Sequence, residues 1–187
     1  MTVLRLNDYK RMPWKNGGGE TAEIAVFPSD ASVGDFDWRI SIATVAADGP
    51  FSRFPRIDRT ITIIDGNAIE LSVEGRPPMV LDQAADPYSF PGDVLTSGRL
   101  RNGTIADLNV MVRRGLPHAV TRLKAADLPR TRVTSATVFI VALEEMAFRR
   151  GHEDIMLQRH DTMDLSGAKM ADIAVETSGA ALLITIG

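Results

Sequence analysis

Three stretches of this chain concentrate side chains able to hold or transform a small molecule. The first is Met12-Pro13-Trp14-Lys15-Asn16-Gly17-Gly18-Gly19-Glu20-Thr21-Ala22-Glu23-Ile24. Consecutive glycines let the backbone take positive φ and bring its N–H groups close to a ligand. No Gly-Lys-Ser/Thr follows, so this is not a phosphate-binding P-loop, and a strand pattern rather than a helix comes next, which excludes a dinucleotide fingerprint. The segment reads either as the linker of a long hairpin or as a ligand loop, and Trp14 beside Lys15 offers an aromatic face and a cation suited to a small planar anion. The second stretch, Trp38-Arg39-Ile40-Ser41-Ile42-Ala43, alternates, with Arg39, Ser41 and Ala43 on the face opposite Trp38. Arg39 there either forks onto a carboxylate or sits on a solvated sheet face. Downstream, Ser52 lies in a Gly/Pro-punctuated segment, and Asp58-Arg59 reads as a local charge pair of small energetic weight. The third stretch, 105–113, puts Asp107, Asn109, Met111 and Arg113 on one face, either a wet cavity wall or an outer surface.

Other chemistries find no support. The chain of 187 residues has no cysteine, which removes disulfides, thiolate nucleophiles and Cys-ligated metals. His118, His152 and His160 are scattered, with no pair at the two- or four-residue spacing of a metal site. No Gly-x-Ser-x-Gly elbow marks a serine hydrolase. A net charge of −3 gives no basic footprint for nucleic acid. The N-terminal residues form no unbroken apolar run, so neither a signal peptide nor a membrane span is expected, and a soluble cytoplasmic protein is the default.

The elements that would position these groups are strands. Apolar residues recur at every second position in 21–27, 38–43, 59–64, 68–73, 78–82, 94–96 and 105–113, then in 119–123, 134–143, 147–149, 154–157 and 181–186. Turn formers punctuate them, among them Asp65-Gly66-Asn67, Pro91-Gly92-Asp93 and Arg101-Asn102-Gly103. The alternation breaks at 124–132, and the boundary between two β units is placed there, giving 1–124 and a smaller 125–187. Many short strands joined by Gly/Pro turns close most economically into sandwiches or barrels, so the fold class is all-β.

Five ordered blocks carry a resemblance. Trp14-Lys15-Asn16-Gly17-Gly18-Gly19-Glu20-Thr21-Ala22-Glu23-Ile24, Phe36-Asp37-Trp38-Arg39-Ile40-Ser41-Ile42-Ala43, Gly49-Pro50-Phe51-Ser52-Arg53-Phe54-Pro55-Arg56-Ile57-Asp58-Arg59, Phe90-Pro91-Gly92-Asp93 and Asp107-Leu108-Asn109-Val110-Met111-Val112-Arg113-Arg114 resemble the successive hallmarks of the HutD/Ves family. The resemblance implies a bicupin, two cupin-type β-barrels of the RmlC-like jelly-roll kind in one chain. It also implies association with bacterial histidine utilisation and a non-enzymatic regulator that binds an acidic metabolite such as urocanate or N-formylglutamate. Arg56 stands where the family often has Gly, and Leu108 where it often has Phe.

Metal cupins hold their ion with a His-x-His pair, a Glu and a later His, whereas this chain has no histidine before His118. The implied site is therefore free of metal and cofactor and holds its ligand by cations and amides. Lys15 and Arg39 are the implied charge partners. Asn16, Ser41, Ser52 and Asn109 are the hydrogen-bonding groups, and Trp14 is a stacking face. Glu23, Asp58 and Asp107 are carboxylates that accept from an imidazole or hold the cations, and Gly17 and Arg59 complete the set. A homodimer is left open. Two rivals stand beside this reading: a metal-independent isomerase or hydrolase with Glu23 or Asp58 as base and Lys15 as acid, and a protein-interaction module whose hallmark residues form a surface patch.

Overall fold

The computed structural model describes residues 1–15, 17–124, 127, 135, 137–168, 174–176 and 179–187. In chain order the strands begin with Thr2–Leu4 (β1), Lys10–Pro13 (β2), Gly19–Phe27 (β3), Trp38–Val45 (β4), Gly49–Pro50 (β5), Ile57–Val73 (β6), Met79–Asp82 (β7), Tyr88–Pro91 (β8) and Thr96–Arg113 (β9). They continue with His118–Lys124 (β10), Thr137–Ala142 (β11), Met146–Arg150 (β12), Glu153–Leu157 (β13), Thr162–Asp164 (β14), Ala174–Val175 (β15) and Ala180–Ile186 (β16). No helix among the described residues is long and apolar enough to cross a membrane. The protein is all-β, as the alternation requires.

Lys10–Gly115 forms one unit. Its sheet runs β2-β3-β4-β9-β6-β7, with β5 on β9 and β8 on β6. The edges β2 and β7 do not pair with each other, so among the described residues the ladder is that of an open curved sheet and not of the closed barrel expected. Its spine is the antiparallel pair β6–β9, in register from Ile57↔Arg113 to Val73↔Thr96. Two tripeptides expected to turn hairpins, Asp65-Gly66-Asn67 and Arg101-Asn102-Gly103, instead lie inside these long strands. Asp65-Gly66-Asn67 falls on a register shift, where Gly66 takes φ +80°, and Asn102 and Gly103 sit within β9 at φ 62° and 99°. The positive φ that suits a two-residue turn also suits a bulge, which bends a strand without ending it.

On the concave face, Ile61, Ile63, Ile69, Leu71, Phe90 and Ile105 pack into a core with Trp14 and Phe51 against it. The alternate residues Ile40, Leu108, Val110 and Val112 are fully buried as well. Arg39 and Asn109 therefore sit in central strands buried on both faces, not on a solvated surface.

Gly19 is fixed by a close approach. A Cβ there would lie 2.1 Å from the Thr44 carbonyl oxygen and 3.2 Å from Trp14 Cε3. Gly19→Ala is expected to destabilise the protein by about 1–3 kcal/mol, the cost of overpacking, in urea unfolding; an unchanged midpoint would contradict it.

The other unit joins Met1–Tyr9 to Leu116–Gly187. It holds a five-stranded sheet, β1-β14-β11-β16-β10, and a three-stranded one, β13-β12-β15. Met146, Phe148, Ile140, Leu157 and Met163 fill its core. The observed division differs from the boundary drawn at 124/125 at both ends. His118–Lys124 pairs with β16 over its full length, and Thr2–Leu4 pairs with β14. Asp161 anchors the first residues: it accepts from the Leu6 N–H at 2.9 Å and from Arg5 at 2.8 Å. Burial opposes its ionised form, but these bonds win and hold the carboxyl below the usual range. Tyr9 donates to the His160 carbonyl at 2.9 Å, and burial pushes its phenol up to about 12. The expected break at 124–132 lies outside the described residues except for Lys124 and Asp127.

Candidate functional site

Within the Lys10–Gly115 unit the concave face of the sheet encloses a cavity of about 610 Å³. Period two in each strand decides what reaches it. β4 sends in Arg39, Ser41 and Ala43, β6 sends in Arg59, β9 sends in Asn109 and Met111, and β3 contributes Thr21. Trp14, Lys15 and Gly18 from the first stretch and Asp48, Phe51, Ser52 and Phe54 from the segment that follows β4 complete the lining.

Two arginines dominate the wall. Arg39 is 6% and Arg59 8% exposed. Burying a guanidinium is costly without partners, and the two are treated differently. Arg39 donates through Nε to Glu23 Oε2 at 2.7 Å, an ion pair. Among the described residues, Arg59 has no carboxylate at bonding distance. It donates through Nε to Asn109 Oδ1 at 2.6 Å and lies over the Phe51 ring, 4.6 Å from its centroid, with the Phe90 ring 5.8 Å away. Burial pulls its guanidinium down to about 10; Asp107 opposes that shift and the like charge of Arg39 adds to it. Neither arginine has a protein acceptor for its Nη groups among the described residues, so both forks remain available to a ligand. Asn109 in turn donates through Nδ2 to Asp107 Oδ1. Asp107 is 0% exposed and its Oδ2 has no hydrogen-bond partner among the described residues. Burial pushes this carboxyl up to about 7, against the pull of Arg59 and of the Asn109 bond. Trp14 is set in place by its Nε1–H, which donates to Thr21 Oγ1 at 2.9 Å.

Of the residues expected at a site, Trp14, Lys15, Arg39, Ser41, Ser52, Arg59 and Asn109 line this one cavity. Glu23 and Asp107 stand behind the lining and act on it through Arg39 and Asn109. Asp58 is elsewhere. Next to Arg59 on a strand, it points the opposite way and pairs with Arg114 at 3.0 Å, in a surface network that includes Asp93. Gly17 is exposed at φ +70° and does not line the cavity, although Gly18 does. Asn16 lies outside the described residues. Sequence reasoning missed Thr21, Phe51 and Asp48; an aromatic directly after Gly49-Pro50, in a block already singled out, was the available signal for Phe51. No group of three His, Asp or Glu side chains among the described residues is placed to hold a metal ion.

A family model described as HutD matches residues 6–183. The chain belongs to the HutD family. It is 40% identical over 111 residues to the Pseudomonas putida "Uncharacterized 21.2 kDa protein in hutC 3'region"; that match spans 59% of this chain and 57% of the relative's length. It is 34% identical over 139 residues to Protein Ves of Citrobacter koseri, covering 72% of this chain and 71% of Ves. The solved structure of HutD from Pseudomonas fluorescens SBW25, from a formate condition, superposes with a TM-score of 0.76 at 32% identity, covering 99% and 97% of the two chains. A "Cupin 2 conserved barrel domain protein" from Leptotrichia buccalis shares the fold at 11% identity, with a TM-score of 0.58 and coverage of 98% and 100%. The HutD fold seen here is thus cupin-like.

Proposed function

We propose that this HutD-family chain is a non-enzymatic, cytoplasmic metabolite-binding protein with a regulatory role. Its two β units are cupin-type, and its cavity holds a small acidic intermediate of histidine breakdown, urocanate or N-formylglutamate. The observation that carries the reading is the pair of buried arginines with Nη groups turned to one cavity, only one of which has a carboxylate partner. A carboxylate ligand supplies the missing counter-charge, and Trp14, Phe51 and Phe54 accommodate the apolar part behind it. The name of the Pseudomonas putida relative, which places it in the 3' region of hutC, supports the pathway. A catalytic role for Glu23 or Asp58 is less well supported, because each is tied to an arginine.

Charge-assisted bonds of about 1.5–3 kcal/mol each give an affinity between about 1 μM and 1 mM after ordering costs. That range suits a sensor of an abundant metabolite. Calorimetry with urocanate and with N-formylglutamate is expected to show saturable one-site binding by at least one of them, weakened in Arg39→Ala. Saturation by neither would overturn the assignment.

A further inference from the structure

We propose that Asp107 is a proton-linked positioning residue of this cavity, so that an anion docking on Arg59 is accompanied by a proton taken up at the Asp107 carboxyl. The inference rests on reading the cavity as an anion site, but not on which metabolite fills it.

The geometry is a three-residue relay. Asp107 Oδ1 takes the Asn109 amide hydrogen, and the Asn109 carbonyl oxygen takes Arg59 Nε–H at 2.6 Å. Asp107 thereby fixes which way the Asn109 amide faces, and the amide fixes the guanidinium over Phe51. The other carboxyl oxygen, Oδ2, is fully buried with no hydrogen-bond partner among the described residues. An ionised carboxylate in that position carries an unsatisfied lone-pair set away from water, which a proton relieves.

The charged groups of the surrounding wall are Arg59 on β6, Arg39 on β4 and Glu23 on β3, and Glu23 is already paired with Arg39. Lys15 and Asp48 stand at the exposed rim. Arg59 is thus the main cation stabilising the Asp107 carboxylate, consistent with a carboxyl near 7, where burial outweighs the attraction.

A bound anion adds a like charge and draws off the field of Arg59. Both effects raise Asp107 further, so the bound state holds more proton than the free state at neutral pH. By reciprocity, protonation of Asp107 tightens anion binding by the same factor. The sign follows directly: affinity is highest below about pH 6, falls as pH rises through 7, and levels off once the bound form has also lost its proton.

Formate is the probe, because it stays ionised over the whole range and requires nothing of the metabolite assignment. Its dissociation constant is read at pH 6, 7, 8 and 9 from the Arg59 Nε–H and Trp14 Nε1–H resonances. In the wild type it is expected to weaken about tenfold from pH 6 to pH 9. In Asp107→Asn, which keeps the oxygen that accepts from Asn109 but cannot ionise, it is expected to be flat within about twofold and tighter than wild type at pH 9. A purely structural role for Asp107 would instead weaken binding at every pH and leave the profile unchanged.

A flat wild-type profile, or an unaltered profile in Asp107→Asn, would overturn the proposal. The wild-type profile decides alone if the variant does not fold. Formate binding with the expected profile while urocanate and N-formylglutamate both fail to bind would remove the metabolite assignment and leave the proton linkage standing. Failure of formate to bind at any pH would overturn the proton linkage, while calorimetry with the two metabolites decides their assignment separately.

Discussion

Arg59→Met is expected to abolish anion binding, raising the dissociation constant for whichever pathway acid binds by at least about a hundredfold while the protein still folds. The loss of two charge-assisted bonds, at about 1.5–3 kcal/mol each, exceeds the roughly 2.7 kcal/mol that a hundredfold represents. Methionine preserves an unbranched stem over Phe51 and Phe90 and places a sulfur against their rings, so the core around the cavity keeps its packing. Removing the cation also removes the like-charge opposition between Arg39 and Arg59. Calorimetry on the folded variant, with circular dichroism to show that it is folded, makes the measurement; binding within tenfold of wild type would show that Arg59 is not the anchor. The corresponding change at Arg39 is expected to cost less, because Arg39 already shares its charge with Glu23.

The second large effect concerns stability. Asp107→Asn is expected to make the protein more stable than wild type by about 4 kcal/mol at pH 8 and by little at pH 4. In the folded chain the Asp107 carboxyl sits near 7, whereas in an unfolded chain a carboxyl of this kind titrates near 3.9. Between those values the folded state binds more protons than the unfolded one. Stability contributed at this site therefore declines as pH rises from about 4 to about 7, and the loss is complete above that. Asparagine does not titrate, so the difference between the two proteins opens across the same interval. Urea unfolding of both at one-unit pH steps, with equal slopes, measures it. Equal stability at pH 8, or a less stable variant, would show that Asp107 is not a strained carboxylate. A residue that costs stability where it stands is the usual mark of a functional position.

Much of this arrangement was legible in the alternation of the chain. Trp38-Arg39-Ile40-Ser41-Ile42-Ala43 does place Arg39, Ser41 and Ala43 on one face, and that face is the cavity wall. The same rule, applied strictly, separates Asp58 from Arg59: adjacent residues of one strand face opposite ways, so once Arg59 is inside, Asp58 is outside with Arg114. Reading the two as a local pair concealed the more important residue. That Asp65-Gly66 and Asn102-Gly103 bulge their strands and do not turn hairpins was not legible, because the positive φ of Gly66, Asn102 and Gly103 suits either case and only the long-range pairing of β6 with β9 decides. Non-local pairing likewise assigns Met1–Tyr9 to the later unit, through β14 and Asp161. The imbalance between Arg39, paired, and Arg59, unpaired, belongs to packing alone, since Glu23 lies 16 residues from Arg39 and meets it only across the β3–β4 ladder.

On the proposed function, the arginine cavity holds a carboxylate. A crystal structure of the protein grown with urocanate or N-formylglutamate tests it most directly. The ligand carboxylate is expected at about 2.7–2.9 Å from the Arg59 Nη atoms, with the remaining ligand atoms against Trp14 and Phe51. A ligand bound only outside this cavity, or a cavity empty at saturating ligand, would contradict it.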